Sequence, residues 1–482
     1  MANEESLSLK TFSGTIWGGL ERFSAQGVSF VVMIIMARIL TPTDYGLVGM
    51  ILVFINIAQS LVDSGFSQAL IRMQDRREVD NSTAFYFNIG VGVGIYIIMW
   101  FLAPLVAKFY NEPRLLWMTR VICVGIIFNS LAVVQRALLT VDVDFKTQAK
   151  ASIIAAFSAG VVGIWLAYSD FGVWSIVAYH LINLGLNCIM LWVFSSWRPK
   201  WMFSVSSFRR MFYFGSKIAV SGLLYTLYVN GYNMAIGKIY KAADLGFYTR
   251  GQQFVSFFSS NISGILQKVT YPVLCRLQDD NTQLGRVFMK MIRISSMVVF
   301  ALMMGLVGVA EPMIGMFLGK KWLYSATLIQ ILCFGYMWFS VYSLNLNILL
   351  VKGRSDLYLK LEIVKKIVCI AVLCALIPFG MEALCWGLAI NSLAEVVINS
   401  FYTGKLIGVS LGRQLIQLVP SLLYALSMGV VVWLVVKAVD ASYIIQFFIG
   451  TLSGIVYFIL IVTLTRSSDF RYILALIRRK LH

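Results

Sequence analysis

The sequence predicts an all-α, polytopic membrane protein of about 14 transmembrane helices, built as two pseudo-symmetric six-helix bundles plus two C-terminal helices. Three observations carry that prediction. Of 482 residues, 59% are hydrophobic and only 13% charged, with a mean hydropathy of +0.80; a soluble domain needs about 25% charged residues to cover its surface. The apolar residues fall into runs long enough to cross a bilayer, which takes roughly 20 residues each. The chain also resembles itself at an offset near 200 residues. No polar stretch reaches even about 20 residues, which excludes a folded extramembrane domain and, with it, a nucleotide-hydrolysing motor or a large catalytic loop.

Taken in order, the spans are 12–39, 46–71, 83–110, 115–140, 149–169, 172–195, 211–238, 246–273, 287–310, 324–350, 357–378, 384–404, 418–437 and 443–464. The first carries Glu21 and Arg22 inside it and follows the polar, partly acidic MANEESLSLK, so it is expected to be a retained helix and not a cleaved signal peptide. An even number of spans puts both ends on one side. Alternate loops counted from the N-terminus hold 24 Lys and Arg, among them Arg72, Arg198, Arg286, Arg413 and Arg478, whereas the opposite loops hold nine. The positive-inside rule then places both termini in the cytoplasm. The net charge of +18, from 40 Lys and Arg against 22 Asp and Glu, is assigned to topology and anionic lipid, and no nucleic-acid partner is expected. The seven cysteines lie in or at the ends of apolar segments without metal-ligand spacing, and read as small core residues.

The internal repeat pairs ARILTPTDYG, from Ala37, with GKIYKAADLG, from Gly237, matching Arg38 to Lys238, Asp44 to Asp244 and Gly46 to Gly246. Further on the offset becomes 208, so that Pro104 meets Pro312 and Phe171-Gly172 meets Phe379-Gly380. The expected organisation is an N-terminal six-helix lobe over 1–210, a C-terminal six-helix lobe over 211–410, and two additional helices with a tail over 411–482.

Polar groups inside spans are costly unless they meet a partner or a watery cavity, so their angular positions carry information. On span 1, Thr15, Arg22, Gln26 and Ser29 share a face; on span 2, Asn56, Ser60, Asp63 and Ser67 do. Span 7 shows Gly222, Thr226, Asn230, Asn233 and Gly237, and span 8 shows Gln252, Ser256, Ser260, Ser263 and Gln267. The repeat maps Gln26 onto Thr226, Asn56 onto Ser256 and Asp63 onto Ser263, which makes the same face polar in both halves. A solvated cavity is expected there, with Arg22, Gln26, Asn56, Asp63, Lys217, Thr226, Asn230, Asn233, Ser256 and Ser263 as substrate-binding candidates. The competing reading is that these side chains only bond neighbouring helices.

Charges need separate weighing. Arg22 lies about 15 Å into its span at 1.5 Å per residue, where insertion costs about 2.5 to 3.5 kcal/mol; either a salt bridge to Asp63 or an anion in the cavity would compensate. Lys217 lies nearer the cytoplasmic end, where it can also snorkel. Glu362 and Lys366 form an i, i+4 pair. Asp63, Glu395 and His180 are the candidates for coupling to sodium or protons. There is no HExxH, Walker loop or Gly-x-Ser-x-Gly element, so neither catalysis, cofactor nor metal site is expected.

ARILTPTDYGLVGM after span 1, DSGFSQALIR at the end of span 2, ADLGFYTRGQQ entering span 8, QKVTYPVLCRLQDD leaving it and FLGKKW before span 10 together resemble the polysaccharide repeat-unit flippases, Wzx-type, of the multidrug/oligosaccharidyl-lipid/polysaccharide exporter superfamily. The likeness is greatest to colanic and teichuronic acid exporters. It implies a bacterial inner-membrane flippase that moves undecaprenyl-diphosphate-linked oligosaccharide repeat units by alternating access for surface polysaccharide synthesis, with a polysaccharide polymerase complex as a candidate partner. Arg22 and Lys217 would then meet the diphosphate. Two alternatives stand: an ion-coupled multidrug antiporter of the same superfamily, and a membrane-embedded polysaccharide polymerase or ligase.

Overall fold

The computed structural model describes residues 26–63, 65–73, 75–467 and 469–471. Among them all regular structure is helical: α1 (Gln26–Ile39), α2 (Pro42–Asp63), α3 (Phe66–Arg72), α4 (Glu78–Tyr110), α5 (Leu115–Ile122), α6 (Val124–Val141), α7 (Phe145–Tyr168), α8 (Val173–Phe194), α9 (Val205–Ile239), α10 (Ala242–Cys275), α11 (Asn281–Phe317), α12 (Leu323–Tyr336), α13 (Phe339–Val351), α14 (Ser355–Leu376), α15 (Met381–Ile407), α16 (Leu411–Ala438) and α17 (Tyr443–Leu464), with two short 3₁₀ turns before α12 and α15. Among the described residues, ten helical stretches are long and apolar enough to cross a membrane. The expected spans 7, 8 and 11 coincide with α9, α10 and α14 but are not among those ten. These three helices carry the polar stripe of span 7, the polar stripe of span 8, and Glu362 with Lys365 and Lys366.

Three expected spans are broken. Span 2 divides at Gly65, whose φ of +94° no side-chain-bearing residue adopts without strain; a Cβ there would lie 2.2 Å from the Gly215 backbone of α9. Spans 4 and 10 divide at Cys123 and at Met337-Trp338. Five cysteines are buried, Cys275 is half-buried and Cys374 is exposed.

The helices form two compact units, residues 1–246 and 247–482. In the first, α7 packs on α8, α4 on α6, and α9 on α2; in the second, α11 packs on α16 and α12, and α16 on α17. A wholly buried carboxylate, Asp80, ties the start of α4 to α9: it accepts from the Arg77 amide at 2.9 Å and from Arg210 Nη2 at 3.1 Å.

The repeat is visible in local geometry. Pro104 and Pro312 both lie inside long helices, α4 and α11, and Gly172 and Gly380 both precede a helix with positive φ, at 53° and 95°. The Asp44/Asp244 pair works alike in each half. Asp44 Oδ2 accepts from the Thr41 amide at 2.9 Å, and Asp244 Oδ2 accepts from the Lys241 amide at 3.1 Å, so each carboxylate caps its own helix start. The two starts meet each other. A Cβ on Gly46 would fall 1.6 Å from the Ala242 carbonyl oxygen, and one on Gly246 would fall 1.9 Å from that of Pro42. Small residues at this spacing let helices touch backbone to backbone in a bilayer.

Gly46→Ala therefore requires α2 and α10 to part, at a cost of about 1–3 kcal/mol by the usual range for overpacking. We expect a lower melting midpoint in detergent for Gly46→Ala and Gly246→Ala. Gly305→Ala, whose Cβ would meet only the flexible end of Met428 at 3.4 Å, should melt like the parent.

Candidate functional site

In the first unit, the polar faces of α2 and α9 turn toward each other across a cavity of about 430 Å³. Asn56, Gln59 and Ser60 come from α2, Gln68 from α3, and Thr226 and Asn230 from α9, with Tyr225 at the side. Asn56 Nδ2 donates to Asn230 Oδ1 at 3.0 Å, and Asn230 Nδ2 donates to the Thr226 carbonyl at 2.9 Å. Gly222 keeps the wall thin opposite Ser60, since a Cβ there would lie 3.4 Å from its hydroxyl. Interhelical hydrogen bonds in bilayers contribute about 0.6 kcal/mol each. The Asn56–Asn230 bond does not by itself account for so many polar side chains on facing helices, and the described lining carries no charged side chain.

Three of the expected binding residues, Asn56, Thr226 and Asn230, thus line one cleft. Asn233, one turn along α9, holds its Oδ1 buried with no hydrogen-bond donor. Gln26 is half-buried at the described start of α1. Arg22 and the side chains of Asp63 and Lys217 lie outside the described residues. Ser256 and Ser263 belong to the second unit; Ser256 donates to the Gln253 carbonyl at 3.3 Å, and Ser263 is 1% exposed with its hydroxyl unpartnered. On the same helix, Gln252 and Ser259 bond the hydroxyl and carbonyl of Tyr336 at 3.1 and 2.9 Å, so part of the span 8 stripe joins α10 to α12.

The coupling candidates separate in the same way. His180 is half-buried beside the Tyr179 ring, with centroids 5.4 Å apart. Glu395 on α15 accepts from Asn391 Nδ2 at 3.3 Å and lies within electrostatic reach of Glu362, Lys365 and Lys366 on α14. Glu362 pairs with Lys366 at 3.2 Å as the spacing predicts, but it also pairs with Lys365, which is only 3% exposed. This compact cluster of two carboxylates and two ammonium groups was not legible as such from spacing alone. An i, i+3 lysine beside the i, i+4 one was its sequence signal. Asn187, the repeat equivalent of Glu395, instead bonds Arg136 at 3.4 Å and Ser152 at 3.2 Å, joining α6, α7 and α8.

Gln59 and Gln68 were missed as cleft residues. Gln59 sits three positions after Asn56 and shares its face. Gln68 replaces Ser67 at the cleft because the turn at Gly65 resets the helical phase.

With this geometry in place, sequence comparison identifies the family. The polysaccharide biosynthesis protein family matches residues 35–327. The chain belongs to that family. It is 25% identical over 432 residues to the teichuronic acid biosynthesis protein TuaB of Bacillus subtilis (strain 168), covering 88% of this chain and 89% of that protein. It is 23% identical over 400 residues to the lipopolysaccharide biosynthesis protein WzxC of Escherichia coli (strain K12), covering 82% and 80%. Among solved structures, the lipid II flippase MurJ in an inward closed conformation superposes with a TM-score of 0.75 at 12% identity, over 94% of this chain and 100% of that one. An inward-facing multidrug resistance MATE transporter of the MOP superfamily superposes with a TM-score of 0.63 at 14% identity, over 80% and 96%. At these identities the two show the fold alone: the described residues form an all-helical, MurJ- and MATE-like fold with ten stretches long and apolar enough to cross a membrane.

The cleft and the ion cluster should respond unequally to substitution. Asn230→Leu is expected to cost about 0.6 kcal/mol, a barely resolved change in melting midpoint. Lys365→Met uncouples a buried ion pair and is expected to cost about 3 kcal/mol. Thermal unfolding of the purified variants measures both.

Proposed function

We propose that this protein is a flippase for undecaprenyl-diphosphate-linked oligosaccharide repeat units, working by alternating access in the bacterial inner membrane with both termini in the cytoplasm. The observation that carries the reading is the polar cleft between α2 and α9, whose described lining is amide and hydroxyl and carries no charge. Amide and hydroxyl side chains such as Asn56, Ser60, Thr226 and Asn230 match sugar hydroxyls, which both donate and accept, and Tyr225 offers a ring face to a sugar. A site built for organic cations calls for carboxylates instead. Membership of a polysaccharide biosynthesis family points the same way.

In this reading Arg22 meets the diphosphate as the cation that a buried anion requires. Six-helix lobes over 1–210 and 211–410 rock against each other, with 411–482 appended. Glu395 is the carboxylate most suited to coupling, because it lies within electrostatic reach of Glu362, Lys365 and Lys366 on α14. His180 and Asp63 are secondary coupling candidates, and Ser256, Ser263, Asn233, Gln26 and Lys217 complete the binding surface.

Purified protein in proteoliposomes loaded with lipid-linked oligosaccharide tests this directly. We expect translocation of that substrate and no efflux of cationic dyes; the reverse pattern contradicts the proposal. Arg22→Ala should abolish translocation while the protein level in the membrane stays intact, and normal transport by that variant would remove Arg22 from the mechanism. For Glu395→Gln, downhill movement should persist while its response to an imposed sodium or proton gradient disappears; an unchanged gradient response would exclude Glu395 from coupling.

A further inference from the structure

A cavity of about 530 Å³ opens in the first unit where α4, the α5–α6 junction and α8 converge. Its lining is apolar except at one end: Val124, Phe128, Leu181, Leu186 and Ile189 form the body, and Arg120 stands beside Trp100 and Trp117. The Arg120 Cζ lies 4.5 Å from the Trp100 ring centroid and 5.0 Å from that of Trp117, and the two indoles stand edge to face at 85°. Ring faces answer the charge of a guanidinium but not its five N–H groups, which point outward in its own plane. The described residues offer those groups little. No carboxylate lines the cavity, Glu112, the carboxylate nearest in sequence, is held by Arg114 at 2.8 and 3.1 Å, and Arg120 Nε is buried without an acceptor.

The ends of this cavity lie at different depths. Arg120 is six residues past Arg114, about 9 Å along the helix at 1.5 Å per residue, and Phe128 follows about 12 Å further on. The loop before α5 is one of those that the charge bias assigns to the side opposite the cytoplasm. The cation therefore sits near the boundary between headgroups and acyl chains, and the apolar body lies at the depth of the chains. Trp117 and Ile189 are both more than half exposed, so the cavity opens sideways to lipid. One cavity with a cation at its shallow end and apolar walls below fits an amphiphile with an anionic head and a long chain.

We propose that this cavity holds an anionic phospholipid of the leaflet in which α5 begins, with its phosphate on the Arg120 guanidinium and one acyl chain along Val124, Phe128 and Leu186. A single guanidinium matches the single phosphate charge of such a lipid, whereas a diphosphate carries more charge than it offsets. A zwitterionic headgroup brings an ammonium as well; here the indole faces are already taken by Arg120, and no carboxylate in the lining can receive it. The cavity is apart from the α2–α9 cleft, and its occupancy does not depend on the transport reading.

The test uses full-length protein in phosphatidylcholine liposomes carrying a trace of either phosphatidylglycerol or phosphatidylcholine with a diazirine on one acyl chain. After illumination, adducts are mapped to residues by mass spectrometry, with adducts at the exposed Ile455 of α17, in the second unit, as the reference. Relative to Ile455, the phosphatidylglycerol probe should label Val124, Phe128 and Leu186 about fivefold more than the phosphatidylcholine probe, the factor that one cation near an anionic headgroup confers. Arg120→Gln should remove that excess and Arg120→Lys should keep most of it, which separates loss of charge from loss of fold. Arg114→Gln, which removes a cation from the same end of the helix, should behave like the parent. Val124→Trp, which fills the cavity and leaves Arg120 in place, should lower labelling of Phe128 and Leu186 by both probes. Equal labelling by the two probes in the parent, an excess that survives Arg120→Gln, or unchanged labelling in Val124→Trp would overturn the proposal. Loss of the phosphatidylglycerol adducts on adding an equimolar amount of undecaprenyl diphosphate would also overturn it, by assigning the cavity to the prenyl carrier.

Discussion

A polar atom placed in hydrocarbon must find a partner inside the chain or a pocket of water, because the surrounding lipid offers neither donor nor acceptor. The helices of this protein divide according to that requirement. α17 presents Ile455, Ile459 and Leu460 outward and holds few groups needing a partner. α9, α10 and α14 do not satisfy the requirement alone, and each answers it differently. α9 turns Asn230 to Asn56 of α2, α10 turns Gln252 and Ser259 to Tyr336 of α12, and α14 collects Glu362, Lys365 and Lys366 opposite Glu395 of α15. The second of these contacts joins two helices directly. The first leaves space, and the third concentrates charge.

Function follows from the difference. Helices that merely bond each other have no need of a cavity, and the α10–α12 contact is of that kind. Across the α2–α9 cleft, amides and hydroxyls such as Gln59, Ser60 and Thr226 line the space beside the Asn56–Asn230 bond, which suits a ligand rich in hydroxyl groups. The backbone crossing at Gly46 and Gly246 lies at the beginning of α2 and holds the cleft's first wall in place through contacts that depend on the absence of a side chain. Two copies of one sequence motif meeting through their glycines also explain why the repeat is clearest at that point.

Much of the architecture was legible because a bilayer imposes length and polarity on each helix. Apart from the breaks at Gly65, Cys123 and Met337-Trp338 and a few end residues, the described parts of the expected segments are helical, and Asn56, Thr226 and Asn230 were placed together by period and repeat alone. What was not legible depends on local geometry or on packing between elements. The turn at Gly65 shifts the phase of span 2 and exchanges Ser67 for Gln68. The burial of Lys365 depends on what α14 faces, and the burial of Asp80 depends on Arg210, 130 residues away. Spacing on one helix contains none of that.

The account rests on the α2–α9 cleft being wetted and occupied by substrate. Thr226→Cys in a background cleared of native cysteines, probed with a membrane-impermeant maleimide in membrane vesicles, measures both properties. The account predicts labelling of Thr226→Cys, protection by the lipid-linked oligosaccharide, and no labelling of Val53→Cys, since Val53 is only 1% exposed on the same α2 helix. Labelling of Thr226→Cys at the rate of Val53→Cys, or labelling that substrate leaves unchanged, would contradict it.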